Sequence, residues 1–509
     1  MARRLTGISL DSRDSSPLYQ QVFEQVVKRV HSCTFPAGYR LPPSRALAEE
    51  LGVHRNTIVH AYADLESAGF VVSKVGRGTF VATTPASGVE PLQSEVASTR
   101  RNALPWSRLI APQAIAEPLG RFDRLARISR GDVIHLGRMH PSADLLPVDL
   151  FQRCLDHALK QHGAKALSYG PREGVPQLRA LIAEELGRQG VPATADDLVI
   201  TNGSQQALDL VVRALVRPGD GFAVDALTYP GMTNVLIGAG ARILPISNDD
   251  EGPRLSDLER IGGSVKGYYS MPRGHNPLAT TISTRRCDAL VEWTRQHGVP
   301  IIEDDYTAGL SLDDEAPPPA LRARDREVIY VGTFSKTLIP ALRIGFVVCP
   351  PALRPVLISL KHSLDLGNSV LIQLALAEFL ERGYFRAHLA RILPEYRARR
   401  EALESAIAAQ LPGDVRWRRC AGTLHLWLTL PVGYNAEEVA DEARRRGVNV
   451  SPSTLYSAES RETVGLRLTF CGESPQRLRE GARRLGRALS SLAAKHSSAL
   501  PADASLGVV

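Results

Sequence analysis

Paired cysteines are missing from this sequence. Cys33, Cys154, Cys287, Cys349, Cys420 and Cys471 are scattered through 509 residues without a CxxC spacing, several of them inside apolar strings. Neither a zinc site nor a disulfide framework is signalled, no metal is expected, and the thiols are expected to be reduced. No apolar run reaches the length of a membrane span, and Met1-Ala2-Arg3-Arg4 is not followed by an apolar signal core. The expectation is a cytoplasmic protein without membrane contact. A strong charge excess is also lacking: a net charge of +7 and a pI near 9.1 are compatible with nucleic acid without demonstrating it. What remains is an ordinary globular composition in a chain too long for one core, so two or three domains are expected.

Residues 12–82 form a first unit. Leu18, Val22, Val26 and Val30 recur every fourth residue, which lines one face of a helix. Phe35-Pro36-Ala37-Gly38-Tyr39-Arg40-Leu41-Pro42-Pro43 stops that helix, and Ser44 is expected to cap a short second one that ends at Gly52. A third helix follows from Arg55, with Ile58, Ala61, Tyr62 and Leu65 inward and Arg55, Asn56, Thr57 and His60 outward near its start. Residues 70–81 read as two strands around a turn. A helix, a glycine turn and a helix with a basic, amide-rich N-terminus make the geometry of a helix-turn-helix DNA reader.

The phrases Leu41-Pro42-Pro43-Ser44-Arg45, His54-Arg55-Asn56-Thr57 and Gly76-Arg77-Gly78-Thr79-Phe80-Val81 resemble the winged helix of the GntR family of bacterial transcription regulators. The resemblance implies that Arg45, Arg55 and Arg77 contact phosphates or base edges of double-stranded DNA, with Asn56, Thr57 and His60 also facing the groove.

Residues 83–131 lack any sustained period and read as a linker. A body is expected over 132–494, and 495–509 reads as a disordered tail. In the body, helical segments alternate with short apolar strands, which implies a mostly parallel sheet with ligands at the carboxyl ends of its strands. One such strand delivers Thr333-Phe334-Ser335-Lys336-Thr337, followed by Arg343. A lysine on a hydroxyl-rich turn can condense with an aldehyde, so Lys336 reads as the anchor of pyridoxal 5'-phosphate, with Thr333, Ser335 and Arg343 as phosphate ligands. Alone, Lys336 would more often be a solvated surface residue.

Other strand ends carry matching groups. Asn202-Gly203-Ser204-Gln205 opens a helix whose free amides suit a phosphate. Tyr229 is placed to stack on a ring, Asn276 offers an amide, and Glu303-Asp304-Asp305-Tyr306 ends an apolar strand in carboxylates that need a cationic partner.

Together these residues make the body resemble fold type I aminotransferases, an α/β body with a smaller C-terminal α/β part. The whole chain resembles MocR-type regulators, in which a GntR winged helix-turn-helix domain is fused to an aminotransferase-like domain. The resemblance implies an aldimine at Lys336, Asp304 on the pyridine nitrogen, and Tyr306 and Asn276 on the phenolic oxygen. It also implies Tyr229 on the ring and Ser204, Gln205, Thr333 and Arg343 on the phosphate. Tyr169 would reach the phosphate of a second subunit across a homodimer. Arg467 would clamp the carboxylate of an amino acid or related amine. Such regulators usually carry a His-Gln-x-Pro-Thr-Gly phrase, where this chain has His275-Asn276-Pro277-Leu278-Ala279. The expected function is a regulator that senses an amino acid or amine, with no enzymatic turnover required of it. The alternative is an active aminotransferase carrying a DNA-binding domain, and the two differ in whether an amino group is transferred.

Overall fold

The computed structural model describes residues 8–10, 17–31, 34–67, 70–74, 78–82, 132–313, 318–458 and 464–499. The chain divides into two compact units, Met1–Leu109 and Ile110–Val509, and the division falls inside the stretch read as a linker.

The first unit has helices α1 (Leu18–His31), α2 (Ser44–Leu51) and α3 (Arg55–Ser67), then strands β1 (Val71–Lys74) and β2 (Gly78–Val81) paired antiparallel. Its core includes Val22 and Val26 of α1, Leu47 of α2 and the stripe Ile58, Ala61, Tyr62 and Leu65 of α3. The Tyr62 hydroxyl donates to the Pro42 carbonyl at 2.9 Å, tying α3 to the proline turn. Ser44 does not cap α2. The cap is Pro43, without a side-chain bond, and Ser44 already lies within the first turn, where its hydroxyl is no longer outside the helix. Gly52 ends α2 at φ +68, a conformation that favours glycine.

In the second unit, β3 (Leu198–Thr201), β4 (Gly221–Asp225), β5 (Arg242–Ile246), β6 (Val265–Ser270), β7 (Ile301–Asp305), β8 (Ile329–Thr333) and β9 (Gly345–Val348) form one sheet. Their order is β3-β9-β8-β7-β6-β4-β5. All run parallel except β9, which is antiparallel to both neighbours. Its beginning therefore lies where β3 and β8 end: Gly345 pairs with Thr201 on one side and Thr333 on the other. One antiparallel strand thus brings residues 202–204, Arg343 and Lys336 to the same edge.

Helix α4 (Ser204–Leu215) follows β3, and α5 (Pro230–Gly238) follows β4. Beyond β9 come α6 (Arg354–Asp365), α7 (Val370–Glu381) and α8 (Tyr384–Gln410). A smaller antiparallel sheet is built from β10 (Arg416–Arg418), β11 (His425–Thr429), β12 (Ser451–Pro452) and β13 (Gly465–Thr469) in the order β10-β11-β13-β12. The last helix, α9 (Pro475–Ala499), continues past residue 494 into the stretch read as a disordered tail. Among the described residues no helix is long and apolar enough to cross a membrane.

The β3–β9 junction is backbone against backbone. A Cβ on Gly345 would sit 2.5 Å from the Gly203 carbonyl carbon and 2.6 Å from the Ser204 nitrogen. Gly345→Ala is expected to cost about 1–3 kcal/mol, read as a lower urea midpoint for the body, and an unchanged midpoint would show that this junction yields freely.

Candidate functional site

Lys336 follows β8 on a turn built by hydroxyls. The Thr333 hydroxyl lies 3.0 Å from Ser335 Oγ and 3.3 Å from the Ile344 carbonyl, and it accepts from the Ser335 amide at 3.2 Å. Thr333 is buried, so it shapes the turn, and Ser335 is the more open hydroxyl. Lys336 Nζ donates to the Met139 carbonyl at 2.7 Å. Burial, aided by the guanidinium groups of Arg467 and Arg343, lowers its ammonium to about 8, although Cys471 acts in the opposite direction.

Strand alternation sorts the three carboxylates of β7. Glu303 accepts the amides of Leu321 and Arg322 at 3.0 and 2.9 Å. Asp305 lies 3.0 Å from Arg273 and accepts from the Tyr330 hydroxyl at 2.8 Å. Asp304 is different: Oδ2 accepts from the Tyr269 hydroxyl at 2.6 Å, whereas Oδ1 is buried without a hydrogen-bond partner. Burial pushes its carboxyl up to about 7, against the pull of the Tyr269 bond. The Tyr306 hydroxyl is likewise buried and without a hydrogen-bond partner. A buried acceptor and a buried hydroxyl in this state suit the protonated nitrogen and the phenolic oxygen of a pyridoxal ring.

Arg467, on β13, brings the smaller sheet to the same place. Its Nη1 donates to Asn276 Oδ1 at 3.0 Å and its Nη2 to the Gly137 carbonyl at 2.7 Å, and it lies over the Tyr456 ring, 5.1 Å from the centroid. Tyr229 donates to Gln205 Oε1 at 3.1 Å, and Gln205 Nε2 donates to the Gly231 carbonyl at 2.8 Å. The Gln205 side chain thus braces Tyr229, leaving its backbone amide, in the first turn of α4, as the group that could meet a phosphate. Ser204 opens α4, Gly203 caps it at φ +78, and Arg343 Nη2 donates to the Asn202 carbonyl at 3.0 Å.

Lys336, Asp304, Tyr306, Asn276, Tyr229, Ser204, Gln205, Thr333, Arg343 and Arg467 are therefore drawn together from seven separate stretches. Tyr169 does not join them. It is 86% exposed, a position open to a second subunit.

Several site residues were missed from sequence. Tyr269 holds Asp304, and its place at the end of β6 was the available signal. Asp225 accepts from Tyr268 at 2.6 Å and lies 2.9 Å from His275 Nε2, a buried network beneath the Asn276 loop. In that loop Ala279 has φ +51, the left-handed region that favours glycine. The alanine stands where the usual phrase has glycine.

In the first unit Arg45, Arg55, Asn56 and His60 are exposed and Thr57 is half-buried. The Asn56 amide donates to His54 Nδ1 at 3.3 Å, which caps α3 and leaves the side chains of its first turn free for a groove. His60 is exposed but meets Tyr19 edge to face, with centroids 5.5 Å apart, so it also braces α1. Arg77 lies outside the described residues.

The family "Aminotransferase class I and II" matches residues 143–485, and "Bacterial regulatory proteins, gntR family" matches residues 18–81. The probable rhizopine catabolism regulatory protein MocR of Rhizobium meliloti is 31% identical over 97% of this chain and 98% of its own length. The chain belongs to the MocR-type regulators. The HTH-type transcriptional regulator TauR of Rhodobacter capsulatus is 31% identical over 93% of this chain and 96% of its own length. Among solved structures, LysN, an alpha-aminoadipate aminotransferase from Thermus thermophilus complexed with N-(5'-phosphopyridoxyl)-L-leucine, superposes with a TM-score of 0.71. It is 30% identical and covers 77% of this chain and 100% of its own. The body of this MocR-type regulator is a fold type I aminotransferase domain with pyridoxal 5'-phosphate as its cofactor, and its N-terminal unit is a GntR DNA-binding domain.

Two outcomes follow. Capture of an aldehyde needs neutral Lys336, so the rate at which cofactor-free protein takes up pyridoxal 5'-phosphate should rise with pH and flatten above about 8. A rate still climbing at the usual lysine range would mean that Lys336 is not depressed. Ala279→Gly should relieve the left-handed strain and stabilise the body by about 1 kcal/mol, offset in part by unfolded-chain entropy; calorimetry showing a loss would contradict this.

Proposed function

We propose that this regulator senses an amino acid or related amine at Lys336 and converts its binding into a change in how two winged helices engage a DNA operator. The observation that carries the reading is the pair of buried, unpartnered oxygens, Asp304 Oδ1 and the Tyr306 hydroxyl, gathered with a depressed lysine. Asp304 would hold a proton on the ring nitrogen, and Tyr306 with Asn276 would hold the phenolic oxygen. Tyr229 would cover the ring, and the first turn of α4 with Ser335 and Arg343 would hold the phosphate, Thr333 shaping the turn that carries Ser335. Tyr169 of a second subunit would complete that end in a homodimer.

Pyridoxal 5'-phosphate supplies an aldehyde carbon that bonds amines reversibly, so an effector amine competes with Lys336 for one atom. Arg467 selects the effector. Its guanidinium already spends Nη1 on Asn276, so a carboxylate arriving there would disturb the Asn276 loop as well. An effector shifts the protein between two forms only by the difference in its affinity for them, and Lys336, bonded or free, supplies such a difference. On the DNA side Arg45, Arg55, Asn56, Thr57, His60 and Arg77 would contact the operator.

Turnover is the second reading, favoured by the Asn276-Pro277 pair, which resembles that of true aminotransferases, and by a lysine near neutrality, which suits proton transfer. The visible spectrum of the full chain, loaded with pyridoxal 5'-phosphate and mixed with amino acids and amines, separates the two. A band that shifts with one ligand and stays shifted, with a parallel change in affinity for operator DNA, is the expected result, and Lys336→Ala should abolish the ligand-free band. Full conversion to the aminated cofactor, reversed by a keto acid, would make the protein a working aminotransferase. A wild type that takes up no cofactor would overturn both readings.

A further inference from the structure

We propose that Asp365, at the end of α6, is a positioning residue that holds residues 202–204 and the Arg343 guanidinium in the geometry that receives a phosphate. This rests on the placement of the cofactor's phosphate at the first turn of α4.

The Asp365 carboxylate collects four donors. Oδ2 accepts from Asn202 Nδ2 and Gln206 Nε2, each at 2.8 Å. Oδ1 accepts from Lys361 Nζ at 3.1 Å and the Gly367 amide at 2.9 Å. Through these bonds Asn202, the residue before the α4 cap, is tied at every polar group. Its amide donates to Gln206 Oε1 at 2.8 Å, its Oδ1 accepts from Asn368 at 2.7 Å, and its carbonyl accepts from Arg343 at 3.0 Å. A continuous path therefore runs from Asp365 through Asn202 to the guanidinium expected on the phosphate, and through Gln206 to the first turn of α4.

The path is short, and it runs from the buried Lys361 through the half-buried Asp365, Asn202 and Gln206 to the exposed Arg343. Lys361 is fully buried, and an uncompensated ammonium there would be costly, so Asp365 must remain ionised beside it. Burial opposes that ionisation, but the donors from Gln206 and Lys361 outweigh it and hold the carboxyl below the usual range. With all four donors converging on two oxygens, an amide in place of the carboxylate would turn an NH2 toward other N–H groups. Asn202 or Gln206 would have to rotate away, and Arg343 would lose the carbonyl that aims it.

The test compares pyridoxal 5'-phosphate with pyridoxal, which has the same aldehyde and ring but no phosphate, by absorbance titration of cofactor-free full-length protein. Asp365→Asn should weaken pyridoxal 5'-phosphate about tenfold or more while leaving pyridoxal nearly unchanged. A general structural role would weaken both alike, and that result, or no change in either, overturns the proposal. Gln206→Met removes one donor to Asp365 and one acceptor for Asn202 without altering charge, and should give a smaller loss with the same selectivity. It keeps the test open if Asp365→Asn does not fold. A wild type that binds the two compounds equally would refute the phosphate placement itself, and the role of Asp365 with it.

Discussion

Asp304 sits buried at the end of β7 with one oxygen bonded by Tyr269 and the other left over, and the chemistry of the body depends on what meets that second oxygen. A carboxylate in an apolar interior either takes up a proton or finds a cation. The neighbouring carboxylates have resolved the same conflict differently. Glu303 is satisfied by two amides of the 321–322 turn, and Asp305 by Arg273 and Tyr330. Asp304 acts on Tyr229 and Tyr306 and keeps one oxygen without a hydrogen-bond partner, and burial pushes its carboxyl up to about 7, so a cation nearby would hold it ionised. A pyridinium nitrogen and Asp304 can therefore each keep the other charged, which is the condition under which pyridoxal chemistry withdraws electrons from an attached amine.

The other end of the site follows from sheet topology rather than from any one side chain. In an all-parallel sheet the entry to a strand lies opposite the ligand edge. The antiparallel β9 places its entry on that edge, so Arg343 arrives beside the first turn of α4. Glycine at 345 lets the two backbones approach as they do, and a Cβ at Gly203 would sit 2.9 Å from the Arg343 guanidinium. Anion-binding amides and a guanidinium are thus held by main chain, with the Asp365 network bracing them from behind. Rigid donors of this kind recognise a phosphate without reorganising first.

Much of this was legible in the sequence. The seven strands of the large sheet and the three helices and hairpin of the first unit are local signals of apolar periodicity, and Lys336 and Asp304 stand where apolar strands end, whereas the expectation for Arg467 came from the resemblance to aminotransferases. Relations between distant stretches were not legible. Asp365 meets Asn202 across 163 positions and lies at the end of a helix whose other residues look like ordinary packing. Tyr269 read as a strand aromatic, because its bond to Asp304 depends on which strands are neighbours. The Ser44 cap failed for a local reason: proline before a helix is a sufficient start, so the hydroxyl was not needed there. Gln205 and Thr333, expected on the phosphate, have side chains turned inward to support Tyr229 and the lysine turn.

Retention of a whole aminotransferase site in a DNA-binding chain makes sense if the site is read as a two-state element. A sensor needs its ligand to bind two forms of the protein unequally, and tight binding alone shifts nothing. A lysine that is covalently engaged in one form and released in the other supplies a large difference from a single event. Arg467 adds to it, since it is bonded to Asn276, which belongs to the loop braced by His275 and Asp225. In the proposed reading a carboxylate at Arg467 would compete with a structural bond, and the effector's two ends would act on two different parts of the body. Catalysis needs the same groups but requires that neither form be favoured for long. The distinction between sensor and enzyme thus lies in the relative stability of the lysine-bonded and lysine-free forms rather than in which residues are present.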